Sequence, residues 1–179
     1  MRDKTIDTLK GILITLVVMG HCFKYGEPQD AFKTVVANYV YLFHMPFFVF
    51  ISGYFTHPRS KSFWPGILAL LESYVVFQLI KGVAAGYSLK YLLIFPAPMM
   101  WYLLCLMVWR VMTFLLDKLQ LSRSVMWGIL VFFLALGLGI GFFDSVGRVL
   151  SLSRIFVFLP LYIKYKDITN LIKMVIEHI

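Results

Sequence analysis

Long apolar runs separated by short polar segments repeat along the whole chain. A helix that crosses the hydrocarbon core of a bilayer needs about 20 mostly apolar residues. Six runs predict membrane-spanning helices, over residues 8–25, 37–55, 64–86, 98–116, 125–143 and 149–163. The fifth run contains no charged residue, whereas the sixth is short and polar in places, because it contains Ser151, Ser153 and Arg154. The pattern therefore predicts an all-α, polytopic transmembrane bundle of about six spans.

The amino-acid composition also indicates a membrane protein. Hydrophobic residues make up 60% of the 179 positions and charged residues only 15%, whereas a soluble domain has about 45–50% and roughly 25%. The net charge of +8 comes without a basic stripe interleaved with aromatic residues, so we expect a lipid bilayer and no nucleic acid as partner. Cys22 and Cys105 lie within or beside apolar runs, which favours small buried side chains over a disulfide framework. We expect one membrane domain over residues 1–179.

Positive charges indicate the orientation of the helices. With the N-terminus in the cytoplasm, eleven of the seventeen Lys and Arg residues fall on inner segments and five on outer ones. An excess of Lys and Arg marks cytoplasmic loops, so the count favours a cytoplasmic N-terminus and a multi-pass protein of the cytoplasmic membrane. A cleaved signal peptide is the alternative for the first run, but no small-residue cleavage site follows its apolar core.

The first predicted helix carries ionisable residues on one face. His21 lies eleven positions after Lys10, which is about 20° past three full turns and about 16 Å along the axis. Asp7 shares this face because it precedes Lys10 by three residues. The pattern is typical of a lined path through the membrane. In the alternative interpretation, Asp7 and Lys10 extend their charged groups to the membrane interface, and His21 is an interfacial histidine.

Further polar residues lie inside other predicted spans, where each marks a candidate functional site. His44-Met45-Pro46 predicts a break in the second helix, since proline lacks an N–H group. Ser52-Gly53-Tyr54 near its end suits helix packing as well as a polar cavity. Glu72 and Arg154 are each deep enough to need a partner, and a pair between them is one solution. No zinc-ligand spacing or phosphate-binding glycine loop occurs, so no metal is expected. His21 has the chemistry of a general base.

Four stretches of this sequence, in order, resemble the membrane-bound acyltransferase 3 family and its fucose 4-O-acetylase-like branch. They are IDTLKGILITLVVMGH, FHMPFFVFISGYF, MMWYLLCLMVW and SLSRIFVFLP. The family motif in the first helix pairs an arginine with a later histidine. Here the histidine is His21, and Lys10 holds the arginine position. Lysine keeps the charge but lacks the planar fork that suits a phosphate or carboxylate.

The resemblance implies transfer of an acyl group, usually acetyl, from acyl-CoA to a hydroxyl of a sugar or cell-envelope glycan. It implies that His21 is the catalytic base and Lys10 a cation on the donor side. Tyr54 and Arg154 are implied to line the cavity. Asp7 and Glu72 are further candidates for donor binding or the cavity because of their charges in the predicted spans. Acyl-CoA enters as a co-substrate, and no tightly bound cofactor is expected.

The family usually continues with further helices, so the domain is expected to be incomplete at its C-terminal end. Association into a homo-oligomer would be one way to close the cavity. Two other functions stay open at this point. A transporter or flippase-like protein would share the broken helix and the intramembrane charges, and an inactive fragment would use its polar residues only to join helices.

Overall fold

The computed structural model describes residues 4–25, 30–97, 100–147 and 149–163, and within these ranges the regular structure is helical, without strands. The predicted all-α class is therefore confirmed. In chain order the helices are α1 (Lys4–Tyr25), α2 (Ala31–Tyr54), α3 (Phe63–Ala84), α4 (Leu89–Ile94), α5 (Trp101–Leu119), α6 (Arg123–Gly141), α7 (Asp144–Gly147) and α8 (Leu152–Ile163), with a 3-10 turn at Val149–Ser151.

Three helices of the described part, α2, α3 and α6, are both long enough and apolar enough to cross a bilayer. α1 and α5 reach 22 and 19 residues but carry more charge. The sixth predicted span falls on α8, whose 12 residues extend only about 18 Å along the axis. The hydrocarbon core is about 30 Å thick, so the described residues of α8 cover only part of that thickness. The polytopic class is confirmed, whereas the count of six and the orientation remain predictions.

The chain divides into two compact units, Met1–Ile51 and Ser52–Ile179. The first unit contains α1 and most of α2. Asp30 begins α2 by accepting a hydrogen bond at its Oδ1 from the Lys33 N–H, at 2.7 Å. Gly20 of α1 faces α2, and a Cβ atom at position 20 would lie 3.1 Å from Cγ1 of Val40. The small residue therefore lets the two helices approach each other one position before His21.

α2 continues through Pro46 without interruption from Ala31 to Tyr54. The predicted break at His44-Met45-Pro46 is therefore wrong. Proline removes one backbone hydrogen bond from a helix interior, but residues on both sides of Pro46 keep helical structure. In a membrane helix, proline is tolerated more readily, because neighbouring groups satisfy the freed backbone.

In the second unit, α3 ends at a glycine in the left-handed region. Gly86 has φ of +69°; its N–H donates to Val83, and the Tyr87 N–H donates to Gly82 at 2.9 Å. This is the Schellman arrangement, in which glycine avoids the steric strain of a Cβ atom. α4 then packs closely against α3 at Gly82. A Cβ atom at this position would lie only 2.2 Å from Cδ1 of Leu92, so the absence of a side chain permits the contact.

Gln78 fixes the loop after α4. Its amide nitrogen donates to the carbonyl oxygens of Leu92 (2.8 Å) and Phe95 (3.1 Å), and its amide oxygen accepts from the Ala97 N–H at 2.8 Å. Gln78 is buried, and in hydrocarbon an unsatisfied polar group would cost several kcal/mol. This polar residue of α3 is therefore structural, since both ends of its amide are bonded within the protein.

α6 and α8 pack closely through a glycine. A Cβ atom at Gly137 would lie 2.7 Å from the backbone nitrogen of Val157 and 2.9 Å from Cβ of Phe156. Ser153 adds a hydrogen bond from its hydroxyl to the Gly137 carbonyl oxygen at 3.1 Å. Small residues at such crossings let helix backbones approach in a membrane, where van der Waals contact replaces the hydrophobic effect.

Candidate functional site

The polar face of α1 is built on a continuous helix. α1 runs from Lys4 to Tyr25, so helical spacing holds between Asp7, Lys10 and His21. All three side chains are half-buried. The predicted alignment of an acid, a lysine and an imidazole on one face is therefore present, with about 16 Å between the levels of Lys10 and His21.

A hydrogen bond within α1 determines the tautomer of the His21 ring. Nδ1 of His21 lies 2.7 Å from the carbonyl oxygen of Val17, one turn earlier. A carbonyl oxygen only accepts hydrogen bonds, so in the neutral ring Nδ1 carries the proton and donates it to Val17. Nε2 therefore presents a lone pair. The same bond orients the ring, which is the arrangement that a general base needs.

A second histidine belongs to the same unit. Ring centroids of His21 and Tyr41 lie 5.3 Å apart, and those of Tyr41 and His44 lie 5.0 Å apart. The Lys24 ammonium group lies 4.8 Å from the centre of the Tyr41 ring, a cation–π contact. The three rings of His21, Tyr41 and His44 thus form a continuous series of aromatic contacts from α1 to α2.

His44 is fully buried, with 0% exposure. Its Nδ1 donates to the carbonyl oxygen of Val40 at 2.5 Å, while Nε2 is buried and has no hydrogen-bond partner among the described residues. The tautomer again leaves the lone pair on Nε2. A buried acceptor without a partner costs about 1–3 kcal/mol, so a hydrogen-bond donor at this nitrogen would be stabilising.

His44 is not among the site residues predicted from the sequence, because His44-Met45-Pro46 predicts a helix break. The signal was present nonetheless. An ionisable residue inside an apolar run is by default a functional candidate, and His44 lies within the second run.

Three consecutive residues at the end of α2 have different surroundings. The Ser52 and Tyr102 hydroxyls are 2.6 Å apart. Gly53 lies against the backbone of α8, where a Cβ atom would be 2.1 Å from the carbonyl oxygen of Tyr162. Tyr54 is exposed, with its ring edge-on to Phe55 at 5.2 Å. Ser52 and Gly53 thus pack helices together, while a cavity role for Tyr54 stays a prediction.

Buried hydrogen bonds hold α5 and α8 beside this point. The Trp109 indole N–H donates to the carbonyl oxygen of Ile155 at 2.8 Å, and its ring lies 5.5 Å from that of Tyr162. The Tyr162 hydroxyl is hydrogen-bonded to Thr56, just beyond α2. Trp109 and Tyr162 are both fully buried, so this contact is the packed centre of the second unit.

Arg154 and Glu72 do not meet. The Arg154 guanidinium lies 4.8 Å from the centre of the Trp101 ring, and it lines a cavity of about 270 Å³ together with Tyr91, Ser151 and Ser153. Glu72 is exposed on α3. No ion pair joins these two described residues, so the pair considered from the sequence is not formed.

The predicted site residues therefore fall into separate groups. Asp7, Lys10 and His21 share one helix face in the first unit. Tyr54, Glu72 and Arg154 belong to the second unit, each in different surroundings. Among the residues that the structure describes, no three His, Cys, Asp or Glu side chains are grouped to hold a metal ion.

Comparison with known proteins gives a consistent result. The family model described as "Acyltransferase domain" matches residues 3–163. Nodulation protein NolL of Mesorhizobium japonicum is 44% identical over 71 residues, which cover 37% of this chain and 19% of the relative. NolL of Sinorhizobium fredii is 45% identical over 56 residues, which cover 30% and 15%. The aligned part of the chain thus spans less than a fifth of the length of these relatives. No solved structure matches the chain.

Proposed function

The chain belongs to the acyltransferase 3 family, and from this premise we propose that it transfers an acyl group, in the first instance acetyl, from acyl-CoA to a hydroxyl of a sugar or cell-envelope glycan. We place it in the cytoplasmic membrane, with its N-terminus in the cytoplasm, and in the fucose 4-O-acetylase-like branch. The excess of Lys and Arg on the segments predicted to be inner supports this orientation.

One observation carries the chemical part of the proposal: the bond from His21 Nδ1 to the Val17 carbonyl oxygen. It leaves Nε2 as the proton acceptor. In the proposed reaction, Nε2 takes the proton of the acceptor hydroxyl while the oxygen of that hydroxyl attacks the thioester carbonyl carbon of acyl-CoA. The new C–O bond forms, the C–S bond breaks, and the proton on His21 passes to the departing CoA thiolate. Between these two proton transfers, the Val17 carbonyl oxygen stabilises the imidazolium ring of His21.

Lys10 and Asp7 occupy the opposite end of the same face. In the proposed orientation this end lies toward the cytoplasm, where acyl-CoA is found, and Lys10 is the cation nearest to the donor. As a lysine it offers a point charge rather than a bidentate fork. We therefore assign it to attraction of the anionic donor, with Asp7 one turn before it.

A carrier function has less support than at the outset. A broken helix at mid-depth is a feature of many carriers, but α2 is continuous from Ala31 to Tyr54. The two functions differ in an observable way, since an acyltransferase consumes acyl-CoA whereas a carrier moves a substrate unchanged.

The proposal is tested by acetyl transfer from labelled acetyl-CoA to envelope glycan in membranes that contain the chain. His21→Ala and His21→Gln are compared with the wild-type protein at matched expression. General acid–base catalysis contributes about 10²- to 10⁴-fold, so we expect each variant to lose about 100-fold or more of the transfer rate.

Cys22→Ser is the matched control, because Cys22 follows His21 directly and is exposed. It is expected to retain the wild-type rate. Transfer that persists at the wild-type rate in folded His21→Ala protein would refute the role of His21. Wild-type membranes that leave acetyl-CoA unconsumed would refute the proposed activity of this chain.

A further inference from the structure

A cavity of about 290 Å³ lies in the second unit, between the loop after α2, the start of α3 and the middle of α5. Its polar lining consists of one guanidinium, one imidazole and three hydroxyl groups, from Arg110, His57, Thr56, Ser60 and Ser62. This volume is just below the roughly 300–1,000 Å³ typical of ligand pockets. None of the described residues that line it is acidic, so the positive charge of Arg110 is not neutralised within the cavity.

Arg110 is the unusual member of this lining. Its Nε is buried and has no hydrogen-bond partner among the described residues. It lies midway along α5, inside a predicted span, where an arginine is expensive and is by default a functional candidate. Asp117, two turns further along α5, pairs instead with Arg59, whose Nε lies 2.8 Å from Oδ2 of Asp117. The structure thus places a half-buried arginine, whose Nε is enclosed, at a cavity whose described lining contains no carboxylate.

α3 borders the cavity with a glycine, Gly66, and with its N-terminus. A Cβ atom at Gly66 would lie 3.0 Å from Nη1 of Arg110, so glycine leaves room for the guanidinium beside the helix. Ser62, the N-cap of α3, makes no side-chain cap hydrogen bond; its hydroxyl lies 2.9 Å from that of Ser60. The N-terminus of a long helix carries a partial positive charge and attracts anions.

We propose that this cavity is a phosphate-binding site, with Arg110 as its principal ligand. A planar guanidinium matches the oxygens of a phosphate group in a bidentate manner, and the Ser60 and Ser62 hydroxyls add neutral donors. Two sources offer this chemistry: the phosphates of the acyl-CoA donor and the phosphate of a lipid headgroup. The first source rests on the proposed function. In the proposed orientation, the loop after α2 lies on the cytoplasmic side, where the donor is found.

The test measures binding to the full chain purified in a non-ionic detergent. Coenzyme A is the first probe, and short-chain phosphatidylglycerol, compared with phosphatidylcholine, is the second. We expect Arg110→Gln to weaken binding of the phosphate probe about 10- to 100-fold, the range for loss of a hydrogen bond to a charged group. Arg123→Gln is the control, since Arg123 is exposed on α6 and outside the cavity, and it is expected to bind as the wild type does.

A second variant keeps the arginine in case Arg110→Gln does not fold. Gly66→Ala raises helix propensity, yet its methyl group would displace Nη1, so we expect binding several-fold weaker without a lower melting temperature. Loss of coenzyme A binding in these variants supports a donor site. Loss confined to phosphatidylglycerol supports a lipid phosphate site. A wild-type chain that binds neither probe, or variants that both bind like the wild type, would overturn the proposal.

Failure of this proposal and failure of the proposed function can be told apart, because binding requires no acyl transfer. His21→Ala is expected to keep coenzyme A affinity while losing transfer. If transfer occurs but affinity is independent of Arg110 and Gly66, the phosphate site is wrong and the acyltransferase stands. If affinity depends on Arg110 but no acetyl group is transferred, the reverse holds.

Discussion

Replacing Gly53 with alanine tests the contact between the end of α2 and α8. The added methyl carbon would lie 2.1 Å from the carbonyl oxygen of Tyr162, 2.9 Å from its carbonyl carbon and 3.1 Å from its Cα. All three are backbone atoms, so no change of side-chain rotamer relieves the overlap. α8 or the end of α2 must move instead.

The magnitude follows from what that movement disturbs. Overpacking a tight contact costs about 1–3 kcal/mol and occasionally more, and overlap with backbone places Gly53→Ala at the upper end. A shift would also strain the hydrogen bonds of Ser52 with Tyr102 and Thr56 with Tyr162, each worth about 1 kcal/mol. The higher helix propensity of alanine offsets up to about 1 kcal/mol. A net loss of about 3 kcal/mol of unfolding free energy is expected.

Thermal unfolding of the purified chain in detergent measures this loss. For a protein of this size, 1 kcal/mol corresponds to about 2–4 °C in melting temperature, so we expect a decrease of about 6–12 °C. Gly11→Ala is the matched control, because Gly11 lies inside α1, where the added Cβ has no close contact outside the adjoining helix backbone. That variant is expected to melt at or above the wild-type temperature. A Gly53→Ala protein that melts within about 2 °C of the wild type would refute the close contact.

Two further substitutions test the packing of the second unit by the same thermal assay. Gly137→Ala would place a Cβ atom 2.7 Å from the Val157 nitrogen, and a loss of about 1–3 kcal/mol is expected; unchanged stability would contradict the close α6–α8 crossing. Trp109→Phe removes the donor to Ile155 and leaves a buried carbonyl oxygen without it, so a loss of about 1–3 kcal/mol is expected, and a neutral result would show that this bond is dispensable.

Long apolar runs predicted the long helices well, because a bilayer-spanning helix must hide its backbone behind apolar side chains. The run predicted over residues 125–143 corresponds to α6, Arg123–Gly141. α6 begins earlier than the run because the Ser122 side chain accepts a hydrogen bond from the Val125 N–H at 3.5 Å. α4 was not predicted, since its 6 residues are too few to establish a helical period. Ser88, which caps it, acts through a local bond that hydrophobic patterning does not register.

The site was predictable only where it depends on one helix. Spacing alone aligned Lys10 with His21, because both lie on α1. The partner of Arg154 depends on how α5 and α8 are rotated toward each other, which spacing within one helix does not define. Arg154 lies over Trp101 rather than against Glu72. His44 was missed because the neighbouring Pro46 suggested a break that the structure does not contain.

The polar groups inside the helices differ in whether the protein itself satisfies them. Gln78 uses both ends of its amide, and Trp109 donates to a backbone carbonyl; such groups are explained by helix packing alone. Nε2 of His44 and Nε of Arg110 are buried among the described residues without a partner. An unpartnered polar atom is especially costly where little water is available, so its retention requires a benefit that packing does not supply. We expect ligand contacts at these two atoms, because a bound ligand would supply the hydrogen-bond partner that the described residues do not.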